Sequence, residues 1–168
     1  MVFAYYHNLS KNNQTIYDES DALKLPRFKG AKKNIQPLVT KVQSSLASGV
    51  RIDTERATRA LLLGLCESYQ VAKISVKVLS FRPSDDYGEL HGLYVRDPRS
   101  RRWPQISVWM RTAQHKRIVA PKTFIRTVLH EFMHHLDFEY FDLEDSFHTE
   151  GFFKREATLF HIIKGGLR

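Results

Sequence analysis

Between residues 35 and 48 the apolar side chains Ile35, Leu38, Val39, Val42 and Leu46 recur at helical spacing and stop at Gly49, which predicts an amphipathic helix. A second helix is predicted from Asp53, a good capping residue, through Ala57, Leu61, Leu62, Leu65 and Cys66. The period then shortens to two. Residues 72–81 set Ile74, Val76 and Val78 or Leu79 against polar neighbours and read as a strand. A polar loop from Arg82 to Asp86 leads to a second strand over Leu90 to Arg96, and Gln105 to Arg111 alternates as a third. Pro104 cannot donate to a ladder, so the third strand is expected near a sheet edge. From Pro121, suited to a first helical turn, the period returns to 3.6, with Ile125, Val128, Leu129, Phe132, Met133 and Leu136 on one face as far as about Tyr140. A last helix, roughly 149–164, carries Phe152, Phe153, Leu159, Phe160 and Ile163 and stops at Gly165-Gly166. Residues 1–34 are polar with scattered Tyr5, Tyr6, Leu9, Ile16 and Tyr17. They read as an arm with a short helix after Ser10, leaving 35–168 as the folded domain. The expected fold class is α+β: two helices, a small three-stranded antiparallel sheet, then two helices.

Composition narrows the class. A chain of 168 residues suits one domain, and no apolar run approaches the roughly 18 to 20 residues that cross a bilayer, so a membrane-spanning protein is not expected. The start, Met1 to His7, lacks a basic residue followed by a long apolar stretch, so a cytoplasmic protein is expected. The single cysteine, Cys66, excludes an intrachain disulfide and a Cys-rich zinc ribbon. The net charge of +8 leaves an acidic partner open, and it is unevenly placed. Residues 91–126 carry +8 by themselves, whereas residues 127–156 carry −6.

The chemistry lies at that change of sign. His130-Glu131-Phe132-Met133-His134 is a His-Glu-x-x-His pattern inside a strongly periodic helix. Four residues at about 100° each bring His134 to about 40° from His130, one turn along the same face, as two imidazoles sharing one Zn²⁺ require. Glu131 stands beside that position, where its carboxylate can take the proton of a water. A catalytic zinc needs a third protein ligand and an open position. Tyr140 occupies the place of the third histidine in the compact metzincin spacing, and His148 follows fourteen residues after His134, at the head of the last helix. A helix hairpin can bring it back to the metal.

His-Glu-x-x-His on a helix, followed by a His, a Gly and an aromatic at the head of a second helix, resembles the SprT-like (Spartan) family of minimal gluzincin metallopeptidases over about residues 127–153. The resemblance implies a zincin-like fold, ligands His130, His134 and His148, and Glu131 as general base. Two residues, Thr149 and Glu150, separate His148 from Gly151, so alignment on Gly151 makes Glu150 the alternative third ligand. The Cys-rich module that often follows this domain in the family is missing from the sequence. Asp137, one turn beyond His134, is a candidate acceptor for the free N–H of a ligand imidazole, with a solvated helix acid as the other reading. His135 points away and is expected to be structural or solvent-facing.

Arg99, Arg101, Arg102 and Trp103, at the tip between the second and third strands, combine cations for phosphate with an aromatic able to stack on an unpaired base. A solvated turn is the plainer reading. The resemblance implies proteolysis associated with DNA, single-stranded or structured. The leading expectation is a peptidase acting on a protein or peptide, its substrate held in extended form along the strand near Ser107 to Arg111. A zinc-containing nucleic-acid-binding or regulatory module without turnover, and a zinc hydrolase of small amides, are the rival readings.

Overall fold

The computed structural model describes residues 2–29, 32–86 and 88–166. A short 3₁₀ turn, Ala4–Asn8, precedes α1 (Lys11–Ala22), α2 (Lys32–Ser48) and α3 (Arg51–Tyr69). Then come β1 (Ser75–Phe81), a small hairpin of β2 (Ser84–Asp85) and β3 (Gly88–Glu89), β4 (Gly92–Val95) and β5 (Gln105–Arg111). The chain finishes with α4 (Pro121–Glu139), α5 (Glu150–Ile163) and a 3₁₀ turn, Lys164–Gly166. The α+β class holds. α3 starts two residues before the expected cap, with Asp53 inside its first turn, where a carboxylate suits the helix dipole.

The sheet differs from expectation. It is mixed rather than antiparallel, in the order β1-β5-β4. β1 and β5 run parallel, from Ser75 opposite Gln105 to Phe81 opposite Arg111, and only β4 is antiparallel to β5. β5 is therefore the central strand and not an edge. Pro104 lies just before its ladder, where its missing N–H costs nothing, and its carbonyl accepts the Ser75 N–H at 2.9 Å. The connection between β1 and β5 contains β4 itself, so three strands that look consecutive in sequence do not form a meander. Five successive buried positions in β5, against alternating exposure in β4, mark which strand sits inside.

The helices cover one face of this sheet. Val76, Val78, Ile106, Val108 and Met110 meet apolar side chains of α2, α3, α4 and α5 in a single core. The two free edges are treated differently. On β1 the Val78 N–H donates to the Glu55 carboxylate at 3.1 Å and its carbonyl accepts from Arg51 at 2.9 Å, so α3 side chains occupy that edge. The β4 edge runs beside α4.

The N-terminal residues pack on α5. Ser10 caps α1 by accepting the Asn13 N–H, and Tyr17 and Ser20 are fully buried. The Asp21 carboxylate accepts the Gly151 N–H at 2.7 Å, and a Cβ on Gly151 would lie 2.2 Å from the Asp21 carbonyl oxygen. Only glycine permits this approach.

Candidate metal centre

α4 divides its residues by face. Phe124, Ile125, Val128, Leu129, Phe132, Met133 and Leu136 are buried in the core, while His130 and His134 face the head of α5. Thr149 caps α5 by accepting the Phe152 N–H, and this fixes the residue before it, His148, against α4. The His148 Nε2 lies 2.9 Å from His130 Nε2 and 3.0 Å from His134 Nε2. The three imidazoles lie close enough together to hold one metal ion.

The outer nitrogens explain which way the inner ones point. His130 Nδ1 is 2.9 Å from the Glu156 carboxylate, which can only accept, so Nδ1 carries the proton. His134 Nδ1 is 2.7 Å from Ser146 Oγ, and that hydroxyl donates to Asp137 Oδ2 at 2.7 Å, so Nδ1 is again the donor. Both Nε2 atoms are then bare lone pairs aimed at a third nitrogen. Only His148 can bring an N–H into this contact, and it can serve one of the two lone pairs, whereas a cation at the centre satisfies all three nitrogens. A tetrahedral Zn²⁺ site with Zn–N of about 2.0–2.1 Å has N···N edges of about 3.3 Å, close to the spacing found here. Burial, reinforced by the other two histidines, pushes the His134 pKa down to about 3, and burial lowers His148 as well. The neutral form, which is the ligand form, is favoured.

Glu131 is buried beside this cluster, and its pKa is pushed up to about 7, mainly by burial, against the opposing pull of His130 and the Tyr94 N–H. β4 approaches so closely that a Cβ on Gly92 would lie 2.4 Å from Glu131 Oε1. The histidines, Glu131 and the β4 edge line one cleft of about 910 Å³. Such an arrangement can hold a divalent ion, admit solvent or a ligand to it, and present a carboxylate to whatever binds.

Glu150 lies apart from the cluster, paired with Lys154 at 2.7 Å in the first turn of α5. Asp137 reaches His134 through Ser146 rather than directly, and it is fully buried against Arg155 at 2.8 Å. The direct carboxylate acceptor is Glu156, on His130. His135 is structural: it is fully buried, its Nε2–H donates to the Ala72 carbonyl at 2.8 Å, and its Nδ1 lies 3.2 Å from the Tyr94 hydroxyl. Arg99, Arg101, Arg102 and Trp103 lie exposed between β4 and β5 and do not line the cleft. Trp103 is 60% exposed, with the Lys73 ammonium 5.9 Å from its ring centre.

Sequence reasoning did not find Glu156, Ser146, Gly92 or the N-terminal contacts. Glu156 stands two turns into α5, a position that faces His130 only once the hairpin closes. The N-terminal support is more remote: the Tyr5 hydroxyl donates to the His148 carbonyl at 2.8 Å, and Tyr17 packs on Phe147. Arg155 donates to the Ser20 carbonyl at 2.6 Å as well as to Asp137, joining α1 to α4.

Comparison with family models, curated proteins and solved structures returns no match for this chain. No helix among the described residues is long and apolar enough to cross a membrane.

Proposed function

We propose that this chain is a zinc-dependent metallopeptidase of the His-Glu-x-x-His type, zincin-like in fold and related to the SprT-like minimal gluzincins. The observation that carries the reading is the convergence of three imidazole nitrogens, those of His130 and His134 bare, beside the buried Glu131 on one open cleft. Three imidazoles suit zinc, and a structural zinc would close its fourth position with another protein ligand. When bound, zinc supplies Lewis acidity to a water and to the scissile carbonyl. His130, His134 and His148 hold the ion, with Glu156 and Ser146 fixing the orientation of the first two rings. Glu131 accepts the proton of the attacking water and returns it to the leaving amine. Gly92 leaves its carboxylate room. β4, not β5, offers the free edge along which an extended peptide pairs.

The exposed Arg99, Arg101, Arg102 and Trp103 favour an accompanying contact with DNA beside the cleft, so that cytoplasmic, nucleic-acid-associated proteins are the proposed substrates. The competing reading keeps the metal and the nucleic-acid contact without turnover. Zinc-loaded protein incubated with an unfolded polypeptide separates the two. The peptidase reading expects cleavage that stops on chelation and returns with zinc; intact substrate after full zinc loading would leave the binding module.

A further inference from the structure

The charged groups of the cleft are not equally engaged. Of its carboxylates, Glu89 pairs with Arg82 at 3.4 Å, Asp145 accepts the Ser146 N–H at 2.8 Å, and Glu156 accepts from His130 at 2.9 Å. Glu131 takes the Tyr94 N–H. Arg126 is the one Lys or Arg side chain among the described residues that lines the cleft, and no carboxylate among those residues forms an ion pair with it. Its guanidinium carbon sits 4.5 Å over the Phe160 ring, on α5. Stacking occupies one face of the guanidinium and leaves the N–H groups at its rim for a planar acceptor. A carboxylate matches that fork with two parallel hydrogen bonds.

The position is also specific. Arg126 precedes His130 by four residues, so it shares the face of the metal pair one turn, about 5–6 Å, toward the helix start. An extended chain covers that distance in roughly two residues. Lys122 approaches the same Phe160 ring at 6.0 Å without lining the cleft, and it adds to the positive potential there.

We infer that Arg126 forms a carboxylate-binding subsite, and that the preferred peptide substrate places an acidic group beside it, close in sequence to the bond that is cut. This inference rests on the metallopeptidase reading for what the acidic group is attached to. The carboxylate has two sources, a Glu or Asp side chain within a chain or the carboxylate at a chain end, and the test separates them.

Matched fluorogenic peptides carrying Glu or Gln at each successive position, each with a free or an amidated C-terminus, are given to zinc-loaded wild type and to Arg126→Ala. Wild type is expected to favour one Glu position, or the free terminus, by about tenfold in kcat/KM, most of it in KM, the scale of one charge-assisted contact. The preference should vanish in Arg126→Ala and turn from Glu to Gln in Arg126→Glu, measured with the same peptides. Equal cleavage of Glu and Gln peptides and of both terminal forms by wild type, or a preference that survives in Arg126→Ala, overturns the subsite. A binding arm does not depend on turnover: fluorescence polarisation of the same peptides on zinc-loaded Glu131→Gln, with and without Arg126→Ala. Arg126-dependent binding of acidic peptides that wild type fails to cut upholds the subsite and removes the peptidase reading. Charge-blind binding removes the subsite alone.

Discussion

Glu131 is buried and His134 half-buried, and loss of solvent drives them in opposite directions for the same reason: each is pushed toward its neutral form. In the metal-free protein the Glu131 carboxyl keeps its proton up to about pH 7, while the unfolded chain loses it near 4.5, so this residue makes stability fall as pH climbs through that window. His134 acts the other way below 6.5, where the unfolded chain takes a proton that the fold refuses down to about 3. A divalent ion beside Glu131 favours its charged form. Metal binding below pH 7 should therefore expel the Glu131 proton, and zinc affinity should rise with pH toward 7. Calorimetric titration at pH 6 in buffers of different ionisation enthalpy is expected to show fewer protons released by Glu131→Gln than by wild type; equal release would contradict it. His130, Glu131 and His134 were legible in the sequence because one helix turn fixes their relations. Ser146 and Glu156 were not, because their roles depend on a hairpin closing over them. Ser146→Ala removes the link from Asp137 to His134 and is expected to weaken zinc binding by about 10- to 100-fold, checked by competition with a chromophoric chelator.

Among the elements, the α4–α5 hairpin was readable from period and caps, and the sheet was not. The connection from β1 to β5 resembles that of a meander when its links are counted, yet β5 pairs on one side with parallel β1 and on the other with antiparallel β4. Strand order is a tertiary outcome, and alternation alone does not encode it. Residues 1–34 read as a polar arm because the contacts of residues 2–22 are made by a few aromatics and by backbone groups. Their side chains nevertheless reach the segment that carries His148. Gly151→Ala tests this coupling, since its Cβ must displace the Asp21 backbone. A loss of about 1–3 kcal/mol in chemical denaturation is expected, together with weaker zinc binding. Loss of stability with unchanged zinc affinity would separate α1 from the metal centre.

At the scale of the molecule, the net charge of +8 is not an even coat. The exposed turn with Arg99, Arg101, Arg102 and Trp103 lies outside the cleft, so changes there should leave peptide cleavage in the absence of DNA intact. Single-stranded DNA is expected to bind in a salt-dependent way, and Arg99→Ala with Arg101→Ala and Arg102→Ala should lower both the affinity and the salt slope, by about 0.7 for each phosphate no longer neutralised. An unchanged slope would assign any DNA contact elsewhere. Under the metallopeptidase reading, Glu131 serves hydrolysis at the metal cleft without helping to hold the ion. Zinc content and polypeptide cleavage measured on the same preparation of Glu131→Gln test it most directly. One zinc per chain with cleavage at least about a hundredfold below wild type is predicted, the loss expected for a general base; cleavage at the wild-type rate with zinc bound would contradict it.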